Sequence, residues 1–167
     1  MKLSPHFTLA EFEYSSTALA RGIDNRIPLR AQADHALSGA SANEAEARFA
    51  NAPILNNLKN LCLKILEPLR EHVGGPVRLS SGYRCPALNR AVGGKATSQH
   101  LTGEAADIRV PNPATGEAWF RWMRDHLPFD QLIKERSSRS SPSFWIHVSC
   151  RLDPSKNRRQ VIAELIK

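Results

Sequence analysis

The sequence predicts an α+β domain in which a small antiparallel sheet packs against helices. Three observations support this fold class. Apolar residues at helical spacing run up to a Gly-Gly pair at Gly74, several later segments have the length and alternation of strands, and no regular βαβ rhythm joins the two kinds of element. A chain of 167 residues that is 41% hydrophobic can bury one core. We therefore expect a single domain over residues 1–167.

The first half of the chain is predicted to be mainly helical. "FTLAEFEYSSTALARG" predicts a short helix, with Thr8 as its cap and Glu11 three residues later. Residues 27–43 are rich in Ala and Ser with weak periodicity, which indicates a surface loop or insertion. From Asn43 a longer helix is predicted to run to Gly74. Its apolar stripe consists of Leu55, Leu58, Leu61, Cys62, Ile65, Leu66 and Leu69.

The second half alternates short strands and helices. "PVRLSSGYR" predicts a strand that leads into a Ser-Gly turn, "PALNRAVGG" a short helix, and "EAADIRV" a second strand. "PATGEAWFRWMRDHL" predicts an amphipathic helix whose Trp119, Phe120 and Trp122 belong to the core. "FDQLIKE" and "SFWIHVSC" predict an antiparallel hairpin joined by the polar turn "RSSRSSP".

The charge balance favours an anionic partner. Lysine and arginine number 23 against 16 acids, which gives a net charge of +7. Nucleic acid, anionic lipid and an acidic cell-wall polymer all remain open on charge alone. We expect no nucleic-acid partner, because neither a recognition-helix pattern nor an RNA-binding aromatic signature accompanies the basic segments. No apolar run has the length of a membrane span, so no membrane partner is expected either, and we expect a monomer.

The amino-terminal stretch and the cysteines bear on the compartment. "MKLSPHFTLAEFEYSS" is interrupted by Glu11 and Glu13, so it does not have the pattern of a secretory signal, and we expect synthesis in the cytoplasm. Cys62, Cys85 and Cys150 are odd in number and lack CxxC spacing, which argues against a disulfide framework.

One constellation of residues has the chemistry of a metal site. In "SQHLTGEAADIRV", Gly103 allows a tight bend that can bring His100 back beside Asp107. A catalytic zinc ion usually takes three protein ligands, and His147 in "FWIHVSC" is the third candidate. Strand alternation places His147 and Ser149 on one face of the sheet and Cys150 on the other. Taken alone, such residues are more often a polar loop before a strand and a hydrogen-bonded core histidine.

Three motifs in order resemble a known family. "SGYRCPALN", "SQHLTGEAADI" and "WIHVS" are similar to the motifs of the zinc D-Ala-D-Ala carboxypeptidases and related phage and bacterial peptidoglycan peptidases, whose fold is shared with hedgehog signalling domains. "HFTLAEF" and "LEPLREHVGGPVRLSSGYR" resemble the short phage-type branch. The resemblance implies one Zn²⁺ ion and hydrolysis of peptide bonds in the stem or cross-link peptides of bacterial peptidoglycan. Its pattern is filled here by Ser98, His100, Gly103, Ala105, Asp107 and His147, and the implied zinc ligands are His100, Asp107 and His147.

The sequence departs from the family pattern at the general base. Many members carry a carboxylate three residues before the last histidine, where it accepts the proton of the attacking water, but that position is Phe144 here. Resemblance to the wider superfamily suggests Glu135, at the end of "FDQLIKE", as the substitute. The alternatives are a surface glutamate with no role, and a non-catalytic zinc-containing module that binds cell wall or virion.

Arg84 is the other implied participant. The resemblance places the arginine of Ser-Gly-Tyr-Arg at the mouth of the site, where it holds a substrate carboxylate or carbonyl oxygen. The alternative is an arginine that pairs with a nearby acid and braces the turn. Ser98 and Gln99 are expected to surround His100 or line the cleft, and Asp130 ranks below Glu135 as a contributor. The missing export signal fits a phage-encoded lysis or tail-associated enzyme acting on the cell wall, and carboxypeptidase and endopeptidase activity both remain open.

Overall fold

A computed structural model describes residues 1–27 and 51–166 of the chain. The helices are α1 (Leu9–Glu13), α2 (Ser16–Ala20), α3 (Ala52–Leu61), α4 (Glu67–Val73), α5 (Pro86–Ala91) and α6 (Pro113–His126), with a π-helical turn at Cys62–Leu66 and a 3₁₀ turn at Pro154–Lys156. The strands are β1 (Arg78–Ser81), β2 (Ala105–Arg109), β3 (Gln131–Arg136), β4 (Trp145–Ser149) and β5 (Gln160–Ile166). The insertion predicted at 27–43 lies outside the described residues except for Ile27, which is buried in the core.

The five strands form one sheet in the order β1-β2-β4-β3-β5. The pairs β1–β2, β2–β4 and β4–β3 are antiparallel, so the predicted hairpin of β3 and β4 is present. The α+β class is confirmed, but the sheet is not wholly antiparallel because β5 runs parallel to β3. The sequence analysis missed β5. Most of its residues are exposed, so the strand lacks the half-buried alternation that identifies strands in a sequence.

The two faces of the sheet have different surroundings. One face carries the apolar side chains that alternate along the strands, and it packs against the helices. We call the opposite face, which carries Asp107 and His147, the site face. The core between sheet and helices includes Ala106, Ile108, Leu132, Ile146 and Val148 from the strands and Leu58, Leu61, Ile65, Trp119, Phe120 and Met123 from the helices.

Trp122 departs in part from the expectation that it is a core residue. Its indole is half-buried and packs against the core from outside. The ring of His72 stacks on it with centroids 4.1 Å apart, and the ring of His126 stacks on it at 5.0 Å. Within residues 1–27 and 51–166, none of the helices combines the length and the apolar character that crossing a membrane requires.

The long helix predicted up to Gly74 is present from Ala52 onward, and its residues before position 51 lie outside the described ranges. It contains the π-helical turn just before Pro68, whose ring cannot donate the hydrogen bond that a regular α-helix requires. Gly74 ends the helix in the left-handed conformation, with φ of 64°.

The amino-terminal segment forms two short helices instead of the one predicted. The backbone turns to an extended conformation at Tyr14, and the Ser15 side chain caps α2 by accepting a hydrogen bond from the N–H of Ala18. The predicted cap at Thr8 is present, because its N–H donates to the Glu11 carboxylate over 2.7 Å. Helix α1 buries Phe12 completely, and this ring lies beside the turn that follows β1.

Candidate metal centre

Two of the three predicted ligands lie side by side on neighbouring strands. Asp107 of β2 and His147 of β4 are direct partners in the antiparallel register. Direct partners project to the same side of a sheet, here the site face. Ile146 and Val148 project to the opposite face and lie in the core. The alternation proposed from the sequence therefore describes β4 correctly.

The third predicted ligand, His100, is held by the loop before β2. Gly103 has φ of 75°, and a Cβ atom there would lie 2.9 Å from the backbone oxygen of Ile54 on α3. Glycine is therefore required for this bend both by its conformation and by the close helix. The Nδ1 atom of His100 donates a hydrogen bond to the backbone oxygen of Gly82 over 2.6 Å. This contact fixes the tautomer and directs Nε2 towards Asp107 and His147.

Three donor atoms meet at distances suited to a metal ion. His100 Nε2 lies 3.3 Å from His147 Nδ1 and 3.3 Å from Asp107 Oδ1, and the latter two atoms are 2.9 Å apart. Zinc bonds of about 2.0–2.1 Å in a tetrahedron separate neighbouring ligand atoms by roughly 3.3–3.4 Å. Two of the three edges match this value, and the chemistry of two imidazoles and one carboxylate is that of a catalytic zinc site. The residues present therefore fit the metal.

The protonation states of the cluster also suit a cation. Burial alone would raise the pKa of Asp107, but the charges and hydrogen bonds of His100 and His147 hold that pKa well below its usual range. Burial lowers the pKa of His100, partly offset by Asp107. An ionised carboxylate beside a neutral imidazole is the state that coordinates a metal without first releasing a proton.

Arg84 adopts the bracing arrangement that the sequence left as the alternative. Its guanidinium donates to Asp107 Oδ2 over 2.6 Å and, through Nε, to the Ser81 hydroxyl over 2.9 Å. Both charged side chains of the ion pair are at least nine-tenths buried. One oxygen of Asp107 thus faces the histidines while the other is held by Arg84. The arginine therefore orients a candidate ligand.

Glu135 lies on the site face, close to the three donors but outside their cluster. Its direct partner across the β3–β4 ladder is Trp145, which places it diagonally from His147, at a typical separation of about 7–8 Å. The carboxylate accepts a hydrogen bond from the Trp145 indole N–H over 2.7 Å and is only 3% exposed. This burial excludes the alternative of a surface glutamate. The position suits a group that acts on a bound water better than a fourth ligand.

Phe144 belongs to the core. It is 5% exposed and packs with the helix-side residues. A Cβ atom at Gly116 of α6 would lie 2.7 Å from its ring, and Lys134 Nζ lies 5.4 Å from its ring centroid. The position three residues before His147 therefore serves packing in this chain.

The lesser candidates surround the site without contacting the donor atoms. Ser98 accepts a weak hydrogen bond from the backbone N–H of His100 at 3.4 Å, and Gln99 donates to Glu104 at 3.4 Å. Asp130 is fully buried in an ion pair with Arg158, so its role is structural.

The sequence analysis missed two contributors. The Gly82 carbonyl that orients His100 is a backbone atom and leaves no side-chain signal. Trp145 could have been found, since strand alternation places it on the same face as His147.

The fold and the candidate metal centre together indicate a class of protein. An α+β scaffold that gathers two histidines and one aspartate at ligand distance is typical of metal-dependent hydrolases. A family model described as Peptidase M15 matches residues 5–149, which is most of the chain and includes all three donors. The chain therefore belongs to the Peptidase M15 family, whose members are zinc-dependent and similar to D-Ala-D-Ala carboxypeptidases. No curated protein matches the chain in a sequence comparison.

Proposed function

We propose that this chain is a zinc peptidase that hydrolyses peptide bonds in the stem or cross-link peptides of bacterial peptidoglycan. The observation that carries the proposal is the spacing of His100 Nε2, Asp107 Oδ1 and His147 Nδ1 at 2.9–3.3 Å. When bound there, zinc would lower the pKa of a water molecule and polarise the scissile carbonyl. Membership of the Peptidase M15 family supports a peptide substrate.

The surrounding residues prepare the three ligands. The Gly82 carbonyl keeps the proton of His100 on Nδ1, so Nε2 presents its lone pair. Arg84 holds Oδ2 of Asp107 and balances its buried charge, so Oδ1 stays directed at the histidines. The ligands are therefore oriented by the protein before a cation arrives.

We assign to Glu135 the two proton transfers of peptide hydrolysis. Its carboxylate accepts a proton from the attacking water and returns it to the leaving amine. Trp145 fixes the carboxylate by donating to Oε2 over 2.7 Å. Because Glu135 is diagonal to His147 on the same face, it can reach a water between the ligands and the substrate. Trp145 is thus a positioning residue for the base.

The wider features of the chain fit a cell-wall substrate. The net charge of +7 favours adsorption to an anionic polymer at low salt. We extend the proposal to one peptidase domain over residues 1–167, since β5 joins the sheet beyond the matched residues 5–149. We further propose that the enzyme is monomeric and acts on the cell wall as a phage lysis or tail-associated protein does.

The test is digestion of a defined peptidoglycan by the zinc-loaded protein, with mass analysis of the products. We expect soluble peptides or free terminal residues, and their loss with a chelator. Release of single terminal residues indicates a carboxypeptidase, and opening of cross-links or stems indicates an endopeptidase. Glu135→Gln should abolish turnover while zinc remains near one ion per chain, and the exposed Glu71→Gln serves as the matched control. Full activity in Glu135→Gln would contradict the assignment of the base.

A second candidate function rests on Phe144. Because this position lacks the carboxylate found in many relatives, the same zinc-containing scaffold could bind cell wall or virion without catalysis. Peptidoglycan pull-down with no released product from the wild-type protein, at full zinc occupancy, would favour this candidate over the peptidase.

A further inference from the structure

The register of the sheet places five residues in one row across the site face. This row is adjacent to the one that contains Asp107 and His147, and two residues along a strand separate the rows by about 7 Å. Each member is the direct partner of the next, from β1 to β5. In that order the row consists of Arg78, Arg109, Trp145, Glu135 and Leu165.

The first two members are an exposed pair of like charges. Arg78 and Arg109 are direct partners in the β1–β2 ladder, and both are exposed. Like charges directly opposite each other on two strands are destabilising. Neither arginine has an ion pair with an acid within residues 1–27 and 51–166. An anion bound between them would remove this repulsion.

Within residues 1–27 and 51–166, several other arginines are engaged with acids. The ion pairs are Arg26–Asp24, Arg84–Asp107, Arg124–Asp125, Arg136–Glu164, Arg151–Asp130, Arg151–Glu104 and Arg158–Asp130. Arg84 matters most here, because its contacts with Asp107 and Ser81 commit it to orienting a metal ligand. A second cation near the centre is Arg109, which lies two residues along β2 from Asp107 and can supply a further contact for a carboxylate on the substrate.

We propose that Arg78 and Arg109 together bind a carboxylate of the peptide substrate, one or two residues from the scissile bond. The inference rests on the proposed function and specifies its substrate as an acidic peptide. Guanidinium groups bind carboxylates through paired, charge-assisted hydrogen bonds, and two arginines on facing strands can hold both oxygens. A distance of about 7 Å along the strand corresponds to about two residues of extended peptide.

The opposite end of the row gives the substrate a direction. Leu165 lies beside Glu135 on the site face and is 38% exposed. The row is thus cationic over β1 and β2 and apolar over β5. A bound peptide would place its anionic group over the two arginines and an apolar group over Leu165.

The experiment compares a soluble peptidoglycan stem peptide with the same peptide in which the carboxylates are amidated. Binding is measured by calorimetry on the full-length, zinc-loaded Glu135→Gln protein, so that turnover does not interfere. We expect the acidic peptide to bind about tenfold more tightly. Arg78→Gln and Arg109→Gln, each added to this protein, should reduce the preference below about twofold. Arg121→Gln, an exposed arginine on α6, is the matched control and should keep the preference.

The outcomes separate the two proposals. Equal binding of both peptides, no binding of either, or a preference that survives both arginine substitutions would overturn the inference. A wild-type protein that binds the acidic peptide selectively but cleaves neither peptide would contradict the proposed function and leave the anion site supported. The ratio of kcat/KM for the two peptides, measured on the active protein, should fall in Arg109→Gln in parallel with the binding preference.

Discussion

Arg84 and Asp107 form a buried ion pair of 2.6 Å, and the second oxygen of the same carboxylate lies 2.9 Å from His147 and 3.3 Å from His100. One carboxylate therefore joins the arginine to the candidate metal centre. Removing one partner of a buried ion pair typically costs about 3–5 kcal/mol, since the other charge is left without compensation. Removing a group that orients a metal ligand typically lowers metal affinity about 10–100-fold.

We predict that Arg84→Gln weakens zinc binding by at least about tenfold and lowers the free energy of unfolding by roughly 3 kcal/mol. Zinc affinity is measured by competition with a chromophoric chelator, and stability by urea unfolding of the metal-free protein. Arg90→Gln, an exposed substitution on α5, is the control. If Arg84→Gln raised KM while zinc affinity stayed unchanged, Arg84 would act on the substrate and its bracing role would be minor.

Zinc should stabilise the folded protein measurably. A ligand at 100 times its dissociation constant stabilises the native state by about 2.7 kcal/mol, which raises Tm by roughly 5–10 °C in a domain of this size. The wild-type protein should show this rise when zinc is added and lose it with a chelator. Asp107→Asn should show little of it, because one of the three donors has lost its charge. His72→Gln, far from the centre on α4, should keep the rise. A zinc-dependent Tm in Asp107→Asn equal to that of the wild type would contradict the ligand set.

The sequence predicted the features that depend on local pattern. Alternation along "WIHVS" places His147 on the face opposite Ile146, and the helical stripe ending at Gly74 predicts the long helix. Both follow from a periodicity that one segment carries by itself. The three motifs, occurring in order, also predicted that three residues distant in sequence come together, which periodicity alone cannot predict.

The features that were missed depend on contacts between distant segments. Strand β5 is exposed along most of its length, so the sequence has no burial pattern that would identify it. Its pairing with β3 is apparent only in the structure. The acid that pairs with Arg84 could not be named, because position 107 lies 23 residues away. The Gly82 carbonyl that orients His100 is a backbone atom, and every residue of a chain carries one.

We expect protonation of Asp130 to account for part of the stability that the fold loses at acid pH. It is fully buried at the start of β3, and Arg158 contacts both of its oxygens at 2.6–2.9 Å. Burial alone would raise its pKa, but the hydrogen bonds of Arg158 lower that pKa from 3.8 to about 2. The folded state thus binds this proton less readily than the unfolded state. The resulting stability is present above pH of about 4 and is lost as the pH falls towards 2.

We therefore predict that the difference in unfolding free energy between the wild type and Asp130→Asn narrows by about 2 kcal/mol between pH 5 and pH 2. The measurement is urea unfolding across this range with a chelator present, so that metal binding does not contribute. The exposed Glu71→Gln is the control and should follow the wild type. A difference that stays constant with pH would show that the charge of Asp130 does not contribute.

Gly82 couples the amino-terminal helix to the metal centre. A Cβ atom at this position would lie 2.6 Å from the Cα atom of Phe12, a backbone contact that cannot be relieved by rotating a side chain. The Gly82 carbonyl also accepts the hydrogen bond that orients His100. Gly82→Ala must therefore move either α1 or this carbonyl. We predict a loss of roughly 1–3 kcal/mol in unfolding free energy, as for overpacking, together with weaker zinc binding. Gly75→Ala, where a Cβ atom meets nothing within 4 Å, is the matched control and should change neither quantity. If Gly82→Ala were destabilised but bound zinc with normal affinity, then α1 would be the part that moves and the Gly82 carbonyl beside His100 would keep its position.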